Sequence, residues 1–145
     1  MTIDTAADAQ RVVLLDSSAA IALVVRDHEA HQETLGAVRG RRLGLAGHAW
    51  FETYSVLTRL PTGLRLTPAD AFQLLASNFP ASGFLSAPDT ATLAEEIARI
   101  GIGGGAVYDA LVGATAREHG RLLISRDHRA RATYEALKVE VEFIS

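Results

Sequence analysis

The stretch RVVLLDSSAA, residues 11–20, predicts the fold of this chain. Its four apolar residues run without alternation, as in a central parallel strand that is covered on both faces. The run ends at Asp16, and Ser17 and Ser18 follow as residues typical of a helix start. Open α/β sheets bind their ligands at the carboxyl ends of the strands. A charge at that buried edge is costly unless it is paired or holds a metal, so Asp16 is the first candidate site residue.

A second stretch, RLLISRD at residues 121–127, repeats the pattern and places Asp127 just after another apolar strand. Further strands are predicted at 43–46, 83–85 and 139–144, and helical segments separate them. Strands that alternate with helices form a parallel sheet with helices on both faces. The last strand alternates valine and phenylalanine with glutamate, which is typical of an edge strand with one wet face. The sequence therefore predicts an α/β fold.

The composition indicates a single globular domain. The chain has 145 residues, of which 48% are hydrophobic and 21% charged, enough for one substantial core. Residues 1–10 are polar and acidic and lack the features of a signal peptide, so we predict a flexible N-terminus followed by one domain over residues 11–145. There is no cysteine for disulfides or thiolate metal sites, and no apolar run is long enough to span a bilayer. These features favour a soluble cytoplasmic protein that does not contact membranes.

The charge pattern leaves two interpretations open. A net charge of −3 is not the basic field that usually marks a nucleic-acid-binding protein. However, every basic residue except Lys138 is an arginine, which suits bidentate contact with phosphate, although genome base composition explains the same preference. Arg126, Arg129 and Arg131 are candidates for phosphate contact beside Asp127, and a solvated basic helix is the alternative.

Two further acids join Asp16 and Asp127 in the predicted site. Glu52 interrupts the apolar face of a helix predicted over 49–60, and Asp109 lies in the first turn of a later helix. Each acid also has a simpler interpretation, as a helix cap, a first-turn acid or the partner of a buried arginine. Three of the acids share one sheet edge, however, and crowded carboxylates must be protonated or held by a cation. Oxygen ligands favour Mg²⁺ or Mn²⁺ over Zn²⁺, and such a metal can activate water for phosphodiester hydrolysis.

The order of these motifs resembles the PIN-domain ribonucleases, and among them the VapC toxins of bacterial toxin–antitoxin systems. The similarity covers nearly the whole chain and lies in LLDSSAAIAL at 14–23, the Glu52 helix, YDALVGATAREHG at 108–120 and LLISRD at 122–127. The resemblance implies a catalytic, metal-binding quartet made of Asp16, Glu52, Asp109 and Asp127. It also matches two hydroxyl positions that support the ligands, Ser18 and Ser125, and the family more often has threonine at the second.

The same resemblance carries expectations about architecture, activity and partners. It implies a five-stranded, mainly parallel sheet flanked by helices on both faces. It implies Mg²⁺-dependent cleavage of RNA, such as tRNA or rRNA, with Mn²⁺ as a possible substitute. The implied partners are a second copy in a homodimer and a VapB-like antitoxin whose segment enters the active site. Operator DNA is implied only through the antitoxin complex.

Other functions are weighed against these motifs. A non-catalytic module that binds RNA or its antitoxin in operator autoregulation has no need for crowded carboxylates. A metal-dependent phosphohydrolase is a further alternative, but phosphoryl transfer through an aspartyl intermediate at Asp16 usually requires a second aspartate where Ser18 stands. The glycines of 101–105 match a dinucleotide-binding pattern, but they follow a predicted helix rather than a strand, so a loop beside Asp109 is the better interpretation.

Overall fold

A computed structural model describes residues 11–145, and residues 1–10, for which a flexible N-terminus is predicted, lie outside that range. The described part is an α/β structure of strands and helices in alternation. The strands are β1 (Val12–Leu15), β2 (Arg42–Leu45), β3 (Leu122–Ser125) and β4 (Val141–Phe143). The helices are α1 (Ser17–Val24), α2 (His31–Val38), α3 (His48–Thr58), α4 (Pro68–Asn78), α5 (Ala87–Ile100), α6 (Ala106–Glu118) and α7 (Arg131–Ala136), the last preceded by a 3-10 turn (His128–Ala130).

All strand pairs in the sheet are parallel, and the strand order is β2-β1-β3-β4. β1 lies in the middle, where Leu15 is level with Leu45 of β2 and with Ile124 of β3. The strands that end at Asp16 and shortly before Asp127 are therefore neighbours, as the site prediction requires. β4 lies at the edge beside β3, which confirms the prediction from its alternating pattern.

The sheet has four strands over residues 11–145, and the expectation of a fifth is not met. Residues 81–83 do run beside β2, and the backbone amides of Ala81 and Gly83 donate to carbonyls of Leu43 and Leu45. However, the Leu45 amide donates to the Ser82 side-chain hydroxyl at 2.9 Å instead of to a backbone carbonyl. Because a side chain replaces one rung of the ladder, the segment is reduced to a single parallel bridge between Ala46 and Gly83.

Helices cover both faces of the sheet, as predicted, because successive strand side chains point to opposite sides. On one face, Leu14 and Leu123 pack with the helices α5, α6 and α7. On the other face, Val13, Leu15 and Ile124 pack with α1, α3 and α4. Both clusters consist of side chains with little or no exposed surface, so the strands are buried on two sides. No helix within residues 11–145 is long and apolar enough to cross a membrane.

Small residues let α6 lie close to its neighbours. Its buried side includes Gly113, Ala114 and Ala116. A Cβ atom at Gly113 would lie 2.9 Å from Cδ1 of Tyr134 and 3.0 Å from Cγ2 of Val139. Glycine therefore allows α7 and the approach to β4 to pack directly against α6, which carries Asp109 in its first turn.

Candidate active site

Asp16 is the most deeply placed of the candidate acids, with only 4% of its surface exposed. It follows β1 directly and caps α1, since its Oδ1 accepts from the Ala19 amide at 3.1 Å. Oδ1 also accepts from the Ser18 hydroxyl at 2.6 Å, and Oδ2 accepts from the Tyr134 hydroxyl at 3.1 Å. Burial raises the pKa of Asp16, and these hydrogen bonds oppose that rise. The interpretation of Asp16 as a helix cap is thus correct, and it is compatible with a place in the site.

The two predicted serines join the ends of β1 and β3. The Ser18 hydroxyl donates to Asp16 and accepts from the Arg126 amide at 2.8 Å. The Ser125 hydroxyl accepts from the Asp127 amide at 3.0 Å and so fixes the turn that follows β3. Both hydroxyls therefore hold the backbone that carries the acids.

Asp127 lies where β3 passes into the 3-10 turn, and it caps that turn. Its Oδ1 accepts from the Arg129 amide at 3.1 Å and from Nε of the same arginine at 3.2 Å. The Arg129 side chain is 93% exposed, so this ion pair adds little stability. The Asp127 carboxylate keeps an orientation toward the cavity that it shares with Asp16.

Glu52 projects from α3 toward the same place. Its Oε2 accepts from the Ser17 hydroxyl at 3.4 Å, which joins α3 to the start of α1. Oε1 lies 3.7 Å from Nε2 of His48, one helical turn earlier. Burial raises the pKa of Glu52, while His48 and Ser17 lower it.

The pKa of Asp109 shows most clearly that the charges of the four acids affect one another. Its pKa is raised to about 6, first by burial and then by the charges of Asp127, Glu52 and Asp16, while Arg129 opposes the rise. The acids line one cavity of about 360 Å³. The structure therefore brings together all four acids that the sequence singles out.

The arginines near the site divide into two groups. Arg126 and Arg129 line the acidic cavity, whereas Arg131 lies over the Phe143 ring at 4.2 Å and is not among the lining residues. Nε of Arg126 is buried and has no hydrogen-bond partner among residues 11–145. Of the candidates for phosphate contact, Arg126 and Arg129 are thus the two that line the cavity.

Sequence reasoning missed two polar residues of the cavity wall, Ser17 and Tyr134. The sequence pattern indicates Ser17 only as a helix start, although its position beside Asp16 is itself a signal for a role at the same strand end. Nothing in the sequence marks Tyr134, because its contact with Asp16 spans 118 positions. His48 was also missed, and its spacing of four residues from Glu52 on one helix was the available signal.

The donor chemistry fits a hard divalent cation. The cavity offers carboxylate and hydroxyl oxygens and no sulfur or imidazole ligand, which is the set that Mg²⁺ and Mn²⁺ prefer. Within residues 11–145 no three acidic or histidine side chains already form a closed metal cluster. An open arrangement still suits Mg²⁺, because this ion keeps several of its own water ligands and takes few from the protein.

Asp109→Asn is expected to stabilise the metal-free protein near neutral pH. The pKa of Asp109 is raised from 3.8 to about 6, so the folded state binds this proton more tightly than the unfolded state does. The contribution of this proton to the free energy of unfolding is therefore fully present below about pH 4, and it is lost as the pH rises to about 6 and beyond. The substitution removes that decline, which is worth about 1 kcal/mol after solvent screening and roughly 2–5 °C in melting temperature.

Thermal melts in EDTA test this prediction at about pH 7.5 and again near pH 4, where the gain should vanish. Asp70→Asn is the matched control, because Asp70 is an exposed acid in the first turn of another helix, α4. A gain of equal size at both pH values would show that the gain does not come from the ionisation of Asp109.

Comparisons with known proteins agree with this arrangement. The family model described as PIN domain matches residues 13–136. The chain is 50% identical to Ribonuclease VapC27 of Mycobacterium tuberculosis over 127 residues, covering 88% of this chain and 93% of that protein. It is 42% identical to Ribonuclease VapC40 of the same species over 134 residues, covering 90% and 97% of the two chains.

A solved structure shares the fold at low sequence identity. It is the crystal structure of VapBC2 from Rickettsia felis bound to a DNA fragment from their promoter. The TM-score is 0.66 with 12% identity, covering 92% of this chain and 99% of that chain. Because the family model matches most of the chain, and because a relative is 50% identical over 88% of it, the chain belongs to the PIN-domain family, in its VapC group.

Proposed function

We propose that this chain is the toxin of a type II toxin–antitoxin system and cuts RNA as a divalent-metal-dependent endoribonuclease. The observation that carries the proposal is the gathering of four carboxylates at one cavity, where burial and mutual repulsion raise the pKa of Asp109 to about 6. Proteins tolerate such a destabilising arrangement chiefly at functional sites. High identity to a protein named as a ribonuclease supports RNA as the substrate class.

The proposed metal is Mg²⁺, for which Mn²⁺ substitutes. Asp16, Asp109 and Asp127 would hold it, with Glu52 beside them. When bound, such an ion lowers the pKa of water and neutralises charge that develops on a phosphate group. The support for this assignment is the all-oxygen donor set and the depth of Asp16, whose charge is costly to bury without a cation.

The remaining groups of the cavity have roles that follow from their contacts. Glu52 is the proposed acceptor of a proton from the attacking water, because its raised pKa brings it closer to neutral pH than an ordinary glutamate. The Ser17 hydroxyl and His48 hold its two oxygens in place. Arg126 and Arg129 are the proposed contacts for the RNA phosphate, because both line the acidic cavity and a guanidinium suits contact with phosphate oxygens.

The proposed reaction balances with one water molecule. The water oxygen bonds to phosphorus and one P–O bond of the RNA backbone breaks. Glu52 takes one proton from the water and releases it to solvent, and solvent water supplies the proton that the leaving oxygen takes up. Ser18 and Ser125 take no part in these bonds and hold the acid-bearing turns in place.

The proposed partners are a second copy of this chain, a VapB-like antitoxin and, through that antitoxin, operator DNA; the proposed setting is the cytoplasm. The likeness to a structure titled as VapBC2 with promoter DNA supports the last two. An exposed aromatic patch supports the homodimer, since Phe51, Phe72 and Phe84 are each about half exposed around Trp50. Contiguous apolar surface of this kind is typical of protein–protein contacts.

Cleavage of total cellular RNA by the purified, antitoxin-free protein tests the proposed activity. We expect discrete fragments with Mg²⁺ or Mn²⁺, no fragments in EDTA, and recovery when excess Mg²⁺ is returned, because the carboxylates cannot activate water by themselves. Fragments that persist in EDTA would contradict the metal dependence. If the folded protein cuts no RNA with either metal but still binds it, the chain is a binding module instead.

A further inference from the structure

Tyr134 contacts the acidic cavity from its buried side and takes no part in the proposed reaction. Its side chain is buried, with 1% of its surface exposed, yet its hydroxyl reaches Oδ2 of Asp16 at 3.1 Å. A phenol this deep in the core is costly unless its hydroxyl finds a partner. The partner it finds is the acid at the centre of the site.

The hydroxyl acts as a donor. An ordinary phenol keeps its proton at neutral pH and a carboxylate only accepts, so the Tyr134 hydroxyl donates to Oδ2 of Asp16. Asp16 then has both oxygens fixed from separate elements, Oδ1 by Ser18 and the Ala19 amide and Oδ2 by Tyr134. Two fixed oxygens define the plane of the carboxylate as well as its position.

The ring of Tyr134 is itself held in place. On one side it meets Gly113 of α6, where a Cβ atom would come within 2.9 Å of Cδ1. It also packs near Phe143 of β4, with the ring centroids 6.3 Å apart. The hydroxyl is thus presented by a packed aromatic ring that touches the helix carrying Asp109 and the strand next to β3.

We propose that Tyr134 is a positioning residue that orients the Asp16 carboxylate to receive the divalent cation of the proposed active site. This inference rests on the proposed function for the identity of the cation. In addition, a residue outside the acidic quartet fixes the orientation of Asp16 before the cation binds. Groups that orient a metal ligand from behind typically change metal affinity about 10–100-fold when they are removed.

Tyr134→Phe is the direct test, because it removes one oxygen and keeps the ring that packs on Gly113 and Phe143. Calorimetric titration of the full chain with MnCl₂ should show a dissociation constant raised about tenfold. Melting in EDTA should stay within a few degrees of the parent protein. Tyr54→Phe is the matched control, since Tyr54 stacks on Trp50 outside the acidic cavity and its loss should leave Mn²⁺ binding unchanged.

A second variant reaches the same hydroxyl by another route. Gly113→Ala removes no polar group, but its added methyl group overlaps the Tyr134 ring, which must shift and carry the hydroxyl with it. If the hydroxyl orients Asp16, this variant should also weaken Mn²⁺ binding, and it decides the matter if Tyr134→Phe fails to fold. Unchanged Mn²⁺ affinity in the folded variants would overturn the inference and leave Tyr134 a packing residue.

The same titration separates this inference from the proposed function. Parent protein that binds Mn²⁺ and cuts RNA, while Tyr134→Phe binds Mn²⁺ equally well, overturns only the role of Tyr134. Weakened Mn²⁺ binding in Tyr134→Phe, in a parent protein that cuts no RNA, overturns the ribonuclease proposal and supports the role of Tyr134. Parent protein that binds no Mn²⁺ overturns both.

Discussion

Asp16→Asn is expected to lower RNA cleavage about 10³-fold or more while leaving the fold intact, because it removes the most deeply buried charge of the proposed metal site. Contributions of several kcal/mol are typical of a metal held against a phosphate, and each 1.4 kcal/mol or so is a factor of ten in rate. The asparagine side chain has the same shape, and its oxygen can still accept from Ser18 and the Ala19 amide. The Tyr134 hydroxyl can then accept from the new amide group.

The stability of this variant separates loss of chemistry from loss of structure. Burial raises the pKa of Asp16, so the folded protein pays for its charge at neutral pH and the metal-free variant should melt no lower than the parent. Asp70→Asn, at the exposed start of α4, is the control for an aspartate-to-asparagine change and should keep full activity. Single-turnover cleavage of a short RNA, measured with a melting curve for each variant, is the experiment. Retention of a tenth or more of the parent rate would remove Asp16 from the proposed site.

The acids could be predicted because their placement depends on local patterns. An apolar run that ends in an acid specifies a buried strand and a charge at its carboxyl end, and this holds for Asp16 and, after a two-residue delay, for Asp127. Glu52 was detectable because it breaks an apolar helical face, and Asp109 because small residues follow it. In each case a few neighbouring positions carry the whole signal.

Features that depend on distant contacts could not be predicted in this way. The hydrogen bond from Tyr134 to Asp16 requires α7 to lie next to the residue that follows β1. No short sequence pattern encodes that position. The start of β4 was predicted at 139, but the Val139 amide donates to the Tyr134 carbonyl and Lys138 adopts a positive φ of 58°. These two residues close α7, so the strand begins only at Val141.

The missing fifth strand has the same kind of cause. The pattern at 83–85 was weak in the sequence, and the segment that actually runs beside β2 is 81–83. Its pairing depends on a glycine in the neighbouring strand and on the Ser82 side chain, which takes the place of a backbone acceptor. Neither condition is visible until the two segments are brought together.

Gly44→Ala is expected to destabilise the protein by about 3 kcal/mol, or roughly 10 °C in melting temperature. A Cβ atom at Gly44 would fall within 2.3 Å of the Ala81 carbonyl carbon and 2.6 Å of the Ser82 amide nitrogen. These are backbone atoms, so no side-chain rotation can relieve the overlap, and the 81–83 segment must separate from β2. The hydrogen bond from the Leu45 amide to Ser82 would be lost with it.

The Gly44→Ala substitution should also disturb the active site, because it displaces α3. The amide of Gly47, the residue just before this helix, donates to the Gly83 carbonyl at 2.8 Å, so movement of the 81–83 segment displaces the start of the helix that carries Glu52. Gly36→Ala is the matched control, because a Cβ atom there meets nothing within 4 Å and alanine should stabilise the helix interior of α2 by about 0.5–1 kcal/mol. Urea unfolding of both variants measures the difference, and RNA cleavage under native conditions should fall only for Gly44→Ala. Equal free energies of unfolding for the two variants would mean that the 81–83 segment moves away without loss of stability and does not unfold cooperatively with the sheet.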